Sequence, residues 1–166
     1  MVEYWDLYDK NREKTGKTHR RGEPIENGAY HIVVNVWFVN SNEEVLLAKR
    51  HPKKELWGGL WECSASGSVL AGEDSLKGAI RETKEELSIS LTETDLALIE
   101  TIIRESDFRD TYLAKKDIDI KKLRFHPDEV VDAKWVTRQE YIDMCGQELL
   151  APPVRDFWEL YFNFTK

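Results

Sequence analysis

GSVLAGEDSLKGAIRETKEELSI, residues 67–89, is the stretch from which the rest of the chain can be read. It opens as a loop punctuated by Gly67 and Gly72 and runs into a helix with an unusual load of acid. Asp74 stands as N-cap, and Leu76, Ala79, Ile80, Thr83 and Leu87 recur at helical spacing along one face of residues 74–87. On the same wheel Glu82, Glu85 and Glu86 share a second face, roughly 120° from the first. Lys77, Arg81 and Lys84 make a third. Carboxylates three and four residues apart repel one another by on the order of 0.2–0.5 kcal/mol per pair. A solvated acidic face would account for that pattern by itself. The glycine loop suggests a second cause, because Glu73 can reach along the first turns toward Arg81. A loop folded back on acids suits a hard divalent cation such as magnesium, which takes oxygen ligands and keeps waters and phosphates around it.

Ahead of this loop, residues 60–66 read as the strand that delivers it. HPKKELWGG, residues 51–59, is a Pro- and Gly-containing loop in which Trp57 either stacks on a planar group or plugs a core edge. Residues 45–50 are a strand ending in Lys49 and Arg50. Arg50 is either an ordinary solvated strand end or a planar fork at the mouth of a site, able to hold a phosphate. Residues 30–39 are nearly continuous in apolar and β-branched side chains, as in a strand buried on both faces. YWDLY, residues 4–8, alternates like a short strand, and the polar run after it turns the chain as a hairpin, with Gly16 as the left-handed position. Asp9, Asn11 and Glu13 have some likeness to a calcium loop, but Lys14 stands where that loop needs glycine, which argues against it.

After the acidic helix, residues 95–104 and 110–116 read as strands joined around residues 106–109. Residues 117–127 form a polar connection, residues 131–136 a further strand, and Thr137 caps a second helix. Beyond Pro152 and Pro153, residues 154–164 form a last helix. Its stripe of Phe157, Leu160, Tyr161 and Phe164 packs against the sheet or a second subunit.

The 166 residues are the size of one domain, and an apolar fraction of 41% with 33% charged residues is that of a globular protein. A net charge of -7 excludes a broad electrostatic grip on a nucleic-acid polymer. It leaves a small nucleotide open, since a metal can bring the positive charge. Cys63 and Cys145 have no CxxC spacing and suggest free thiols. With no apolar leader and no run of membrane-spanning length, the expected location is the cytoplasm, with no membrane partner.

Gly67, Glu73, Arg81, Glu82, Glu85, Glu86 and Ile89 stand at the spacing of the Nudix box, and on these residues the chain resembles the Nudix hydrolase superfamily. Thr83 stands where the family usually has a bulkier aliphatic, and Ser88 where it usually has glycine, the residue best suited to a left-handed helix exit. The resemblance implies an α+β Nudix fold. A mixed β-sheet would lie between helices in three α/β/α layers, with an N-terminal hairpin and lead-in at residues 1–28, all in a single domain spanning residues 1–166. It also implies metal-assisted attack of water on a diphosphate linked to another group. Glu85 and Glu86 would be the main ligands of Mg2+, with Mn2+ as the alternative. Glu82 would join them or orient and deprotonate the water, and a backbone carbonyl at Ser66 or Gly67 would complete the shell. Arg81 would hold the carboxylates in place, with Glu73 in its network. Many members add an acid from outside the box; Glu129 is the choice here, with Glu105, Asp107 and Asp128 as rivals. A homodimer is common in the family.

YWDLYDKNREKTG, the strand containing His31, and WGGLWECSASGSVLAGE are similar to the branch related to isopentenyl-diphosphate isomerase. That isomerase needs a cysteine immediately before the box glycine and a metal-binding histidine immediately after it. Here those positions are Ser66 and Ser68, and Cys63 lies three residues early, an odd shift that turns a strand residue to the opposite face. Isomerase chemistry is therefore set aside while kinship is kept. A Nudix-fold domain that binds a nucleotide or protein without cleaving it remains the other alternative, although such domains usually lose box carboxylates and none is lost here. The organic group on the diphosphate is read by loops, and a nucleotide is the favoured one.

Overall fold

The computed structural model describes residues 2–166, and its sheet is ordered around β3 (His31–Val39). Ile32, Val34, Val36 and Phe38 point into one core, while Trp37 and Val39 point into another on the opposite side. That alternation is what a strand buried on both faces produces. β3 runs parallel to β8 (Asp107–Lys115) along its whole length, from His31↔Asp107 to Val39↔Lys115. The remaining neighbours are antiparallel: β4 (Val45–Arg50), β5 (Trp61–Glu62), β6 (Ala65–Ser68), β7 (Ala97–Ile103) and β9 (Val130–Val136). The main path is β5-β4-β3-β8-β7, with β6 added to β3 and β9 to β4. α1 (Ser75–Leu87) closes the first core through Ala79 and Leu87. α2 (Arg138–Gly146) and α3 (Phe157–Thr165) close the second through Tyr141, Met144, Phe157, Trp158 and Tyr161. Helices on both faces of one mixed sheet give the expected three layers. No helix among the described residues is long and apolar enough to cross a membrane.

β1 (Tyr4–Tyr8) and β2 (Lys14–Arg20) form the expected hairpin as a separate two-stranded sheet. The left-handed residue of its turn is Arg12, at φ 64, while Gly16, at φ 79, lies within β2. Asp9 makes the turn by accepting from the amides of Asn11 and Glu13. Arg12 then reaches the fully buried Asp110 on β8, Nη1 donating to Oδ1 at 2.7 Å. Asp110 also accepts from Ser75 at the start of α1 and from Thr101 on β7. Burial pushes the Asp110 carboxyl up, but the hydrogen bonds from Arg12, Ser75 and Thr101 outweigh it and hold it below its ordinary value.

Three expected elements differ. Residues 60–66 are not one strand, because Ser64 wedges between β3 and β4. Its hydroxyl accepts from the Phe38 amide and donates to the Leu46 carbonyl, so β5 pairs with β4 and β6 with β3. Residues 107–109 are not a connection but the start of β8, where they pair in parallel with residues 31–33 of β3, and Arg109 is buried on the distant Pro153 carbonyl. The last helix begins at Phe157, after a short 3-10 turn at Pro152–Val154. It buries Phe157, Trp158 and Tyr161, with Phe157 stacked on Trp37 at 4.1 Å, and leaves Phe164 exposed. The aromatic stripe packs on the sheet.

Candidate functional site

Asp74 caps α1 by accepting from the Lys77 amide at 2.8 Å. At the other end Ser88 adopts the left-handed exit itself, at φ 59, and its hydroxyl donates to the Arg124 carbonyl. Thr83, completely buried, donates its hydroxyl back to Ala79. The helix is thus fixed at both ends and on its inner face. This sets the direction of its acids.

Those acids are not equivalent. Glu85 is half exposed, Glu82 is mostly covered, and Glu86 is buried with Oε2 accepting from the Ser66 amide at 3.1 Å. Arg81 turns inward to the carboxylates, as expected for it. Its Nε donates to both oxygens of Glu73, at 3.0 and 3.1 Å. Nη1 donates to Glu82 at 2.8 Å and to Glu85 at 3.1 Å, and Nη2 donates to the Ser68 carbonyl at 2.9 Å. One guanidinium ties the loop, the β6 backbone and two helix acids together. Gly67 makes room for this arrangement, since a Cβ there would lie 2.1 Å from the Glu82 carboxyl carbon.

The acids open onto a cleft of about 450 Å³. Its floor carries Val33, Asn35, Ser66, Gly67, Ser68 and Arg109, and its walls carry Arg50, Lys54, Trp57, Glu62, Glu129 and His126. Glu3 and Arg21 of the hairpin and Pro153 before α3 complete the rim. Glu129 faces this space, whereas its rivals Glu105, Asp107 and Asp128 do not line it. Trp57 stands at the rim, 38% exposed, and does not plug a core edge. Arg50 lies in the cleft, but its fork closes on protein. Nη1 donates to both Glu62 oxygens, at 2.7 and 2.8 Å, and Nε to the Leu56 carbonyl. Three other lining cations are likewise matched: Lys54 with Glu129, Arg21 with Glu3, and Arg104 with Asp107.

Glu62, Asn35 and Arg109 were not singled out from the sequence. The available signal was a polar residue inside an apolar strand, as Asn35 is in HIVVNVWFV and Glu62 is between Trp61 and Cys63.

Burial pushes the Glu82 carboxyl up to about 7 against the opposing pull of Arg81. Burial also raises Glu86 well above its usual value, helped by the nearby charges of Glu62 and Glu82. Glu62 is raised by burial in spite of Arg50. Among the described residues no group of three or more His, Cys, Asp or Glu side chains is placed to hold a metal ion. A magnesium site does not need one, because that ion keeps waters and substrate oxygens and takes only one or two carboxylates. The donor set fits such an ion.

The raised Glu82 makes a sign-definite prediction. A carboxyl held at about 7 when folded, against 4.5 when unfolded, binds its proton more tightly in the fold. Its stability contribution is full below the unfolded value and falls by on the order of 2–3 kcal/mol as pH rises through the folded one. In chelator, the melting temperature of wild type relative to Glu82→Gln is expected to drop between about pH 5 and about pH 8. Magnesium restores it at the higher pH and changes little at the lower. A flat difference across that range removes the assignment.

The family described as the NUDIX domain matches residues 29–157. An uncharacterised Nudix hydrolase of Listeria monocytogenes, lmo0368, is 40% identical over 139 residues, which is 84% of this chain and 82% of that protein. An isopentenyl-diphosphate Delta-isomerase of Pectobacterium atrosepticum is 23% identical over 174 residues and covers 93% of each chain. Among solved structures, DR0079 of Deinococcus radiodurans has the same fold, with a TM-score of 0.76 at 22% identity over 99% of this chain and 100% of that one. The family match and the Listeria relative show that the chain belongs to the NUDIX family, as a hydrolase of the pyrophosphohydrolase type.

Proposed function

We propose that this protein cleaves the diphosphate linkage of a nucleoside diphosphate joined to another moiety, by metal-dependent attack of water on phosphorus. The observation that supports this most is the single Arg81 guanidinium holding Glu73, Glu82 and Glu85 beside the buried Glu86 at one end of the cleft. Glu85, Glu86 and the carbonyl at Ser66 would be the main holders of Mg2+ or Mn2+, which would supply charge neutralisation of the diphosphate and a lower pKa for the water. Glu82 would join them, or orient that water and take its proton. Arg81 positions the acids and does not touch substrate. Glu129, tied to Lys54 across the cleft, is the acid from outside the box. Trp57 at the rim offers a face for stacking a base. The substrate is a small molecule, and the free thiols suit the cytoplasm.

The isomerase reading loses its proton donor and metal ligand at Ser66 and Ser68, and Cys63 is buried in the aromatic core with its thiol pushed well up by burial. The deciding experiment measures phosphate or pyrophosphate release from nucleotides, sugar nucleotides, dinucleotides and prenyl diphosphates, with magnesium and with chelator. Metal-dependent release from one compound is expected. Silence across the panel from protein that binds magnesium would favour a binding domain.

A further inference from the structure

Two polar side chains of the cleft floor, Asn35 and Arg109, are more than nine-tenths buried, at 8% and 7% exposure. Groups so buried normally have hydrogen-bond partners within the protein. The Asn35 side-chain amide has none among the described residues and borders the open cleft. Arg109 donates from Nη1 to the Pro153 carbonyl at 2.9 Å, stands 3.7 Å from Glu100, and keeps its buried Nε without a partner. Every other Arg or Lys lining the cleft has a carboxylate within 3.5 Å; Arg109 does not. A buried guanidinium left in that state is stabilised by any anion that reaches it.

Strand register places the pair in line with the acids. Ser66, whose amide holds Glu86, is the cross-strand neighbour of Asn35, and Arg109 pairs with Val33, two residues along β3 and on the same face. A row of polar groups therefore runs across the floor from Glu86 to Arg109. We propose that Asn35 and Arg109 form an anion subsite that takes the phosphoryl group not attacked by water, with the scissile phosphorus held at the glutamate end. This rests on the hydrolase reading for the identity of the anion. Arg50, closed on Glu62, is then a support for the wall, and Arg109 becomes the residue that sets the reach of the diphosphate across the sheet.

Isothermal titration with inorganic pyrophosphate in excess magnesium tests this on wild type, Arg109→Gln, Arg109→Lys and Asn35→Asp. Wild type is expected to bind. Arg109→Gln should bind about 10–100-fold more weakly, because it loses charge-assisted hydrogen bonds. Arg109→Lys should recover part of that loss, and Asn35→Asp should bind as weakly as Arg109→Gln by placing a like charge beside the anion. Wild-type affinity in a folded Arg109→Gln overturns the proposal, as does failure of wild type to bind pyrophosphate. If Arg109→Gln does not fold, the nearly isosteric Asn35→Asp decides, and wild-type affinity there overturns it equally. The two readings fail separately. Loss of pyrophosphate affinity in Arg109→Gln, with no diphosphate cleaved by wild type, would keep the subsite and remove the hydrolase.

Discussion

Replacing Glu82 with Gln is expected to lower turnover by about 10²–10⁴-fold, the range removed with a positioned general base. The amide keeps the volume that Gly67 makes room for and can still accept from Arg81, so the fold should hold. What disappears is the capacity to take a proton from water. Steady-state kinetics on whichever diphosphate the panel identifies, with circular dichroism as the control, would measure it. Retention of most of the activity would sink the assignment of Glu82 and move the proton acceptor to Glu129 or Glu62.

Glu86→Gln should separate stability from activity in opposite directions. Glu86 is buried with one amide donor, from Ser66, and no cation on it. Its raised carboxyl means that folding at neutral pH requires either uptake of a proton or burial of a charge. A glutamine needs neither and keeps the acceptor for Ser66. In chelator at neutral pH the variant is expected to be more stable than wild type by about 1–3 kcal/mol. The gain should vanish below the ordinary carboxylate pKa, where wild-type Glu86 is protonated in both states. In the same variant, magnesium-dependent stabilisation and turnover should largely disappear. Denaturant unfolding at two pH values, with and without magnesium, checks both halves. A variant less stable than wild type in chelator would mean that Glu86 is held for the fold and not for an ion.

The acidic helix was legible because its causes are local: a capping aspartate, an apolar face at helical spacing, and a Glu73 eight residues before Arg81 that the structure brings within hydrogen-bond distance. β3 was legible for a similar reason, since a run of apolar, β-branched side chains needs a sheet position covered on both faces. The parts that were not legible depend on partners distant in sequence. Ser64 divides its strand only because β3 and β4 part around its hydroxyl. Asp107 and Arg109 read as a polar joint, yet they belong to a strand because they pair with His31 and Val33 of β3, and Arg109 is buried on the Pro153 carbonyl. Arg50 looked available for phosphate because nothing local announced Glu62 as its partner across the β4–β5 pairing. In the candidate site, the three helix acids, Ser66, Gly67, Arg50, Trp57 and Glu129 were legible and line the cleft, whereas Asn35, Glu62 and Arg109 were not.

The knot of contacts at Asp110 has a further consequence for how the molecule assembles. Arg12 and Asp110 are separated by 98 residues, and Ser75 and Thr101 join them from two further segments. During synthesis the hairpin emerges before its anchor, which follows only after β3 to β7 and the acidic helix. A segment waiting on so distant a partner docks late, after the local elements have formed. The hairpin also carries Glu3 and Arg21 to the rim of the cleft. The cleft is thus completed late in folding, by a segment that precedes the rest of the sheet in sequence.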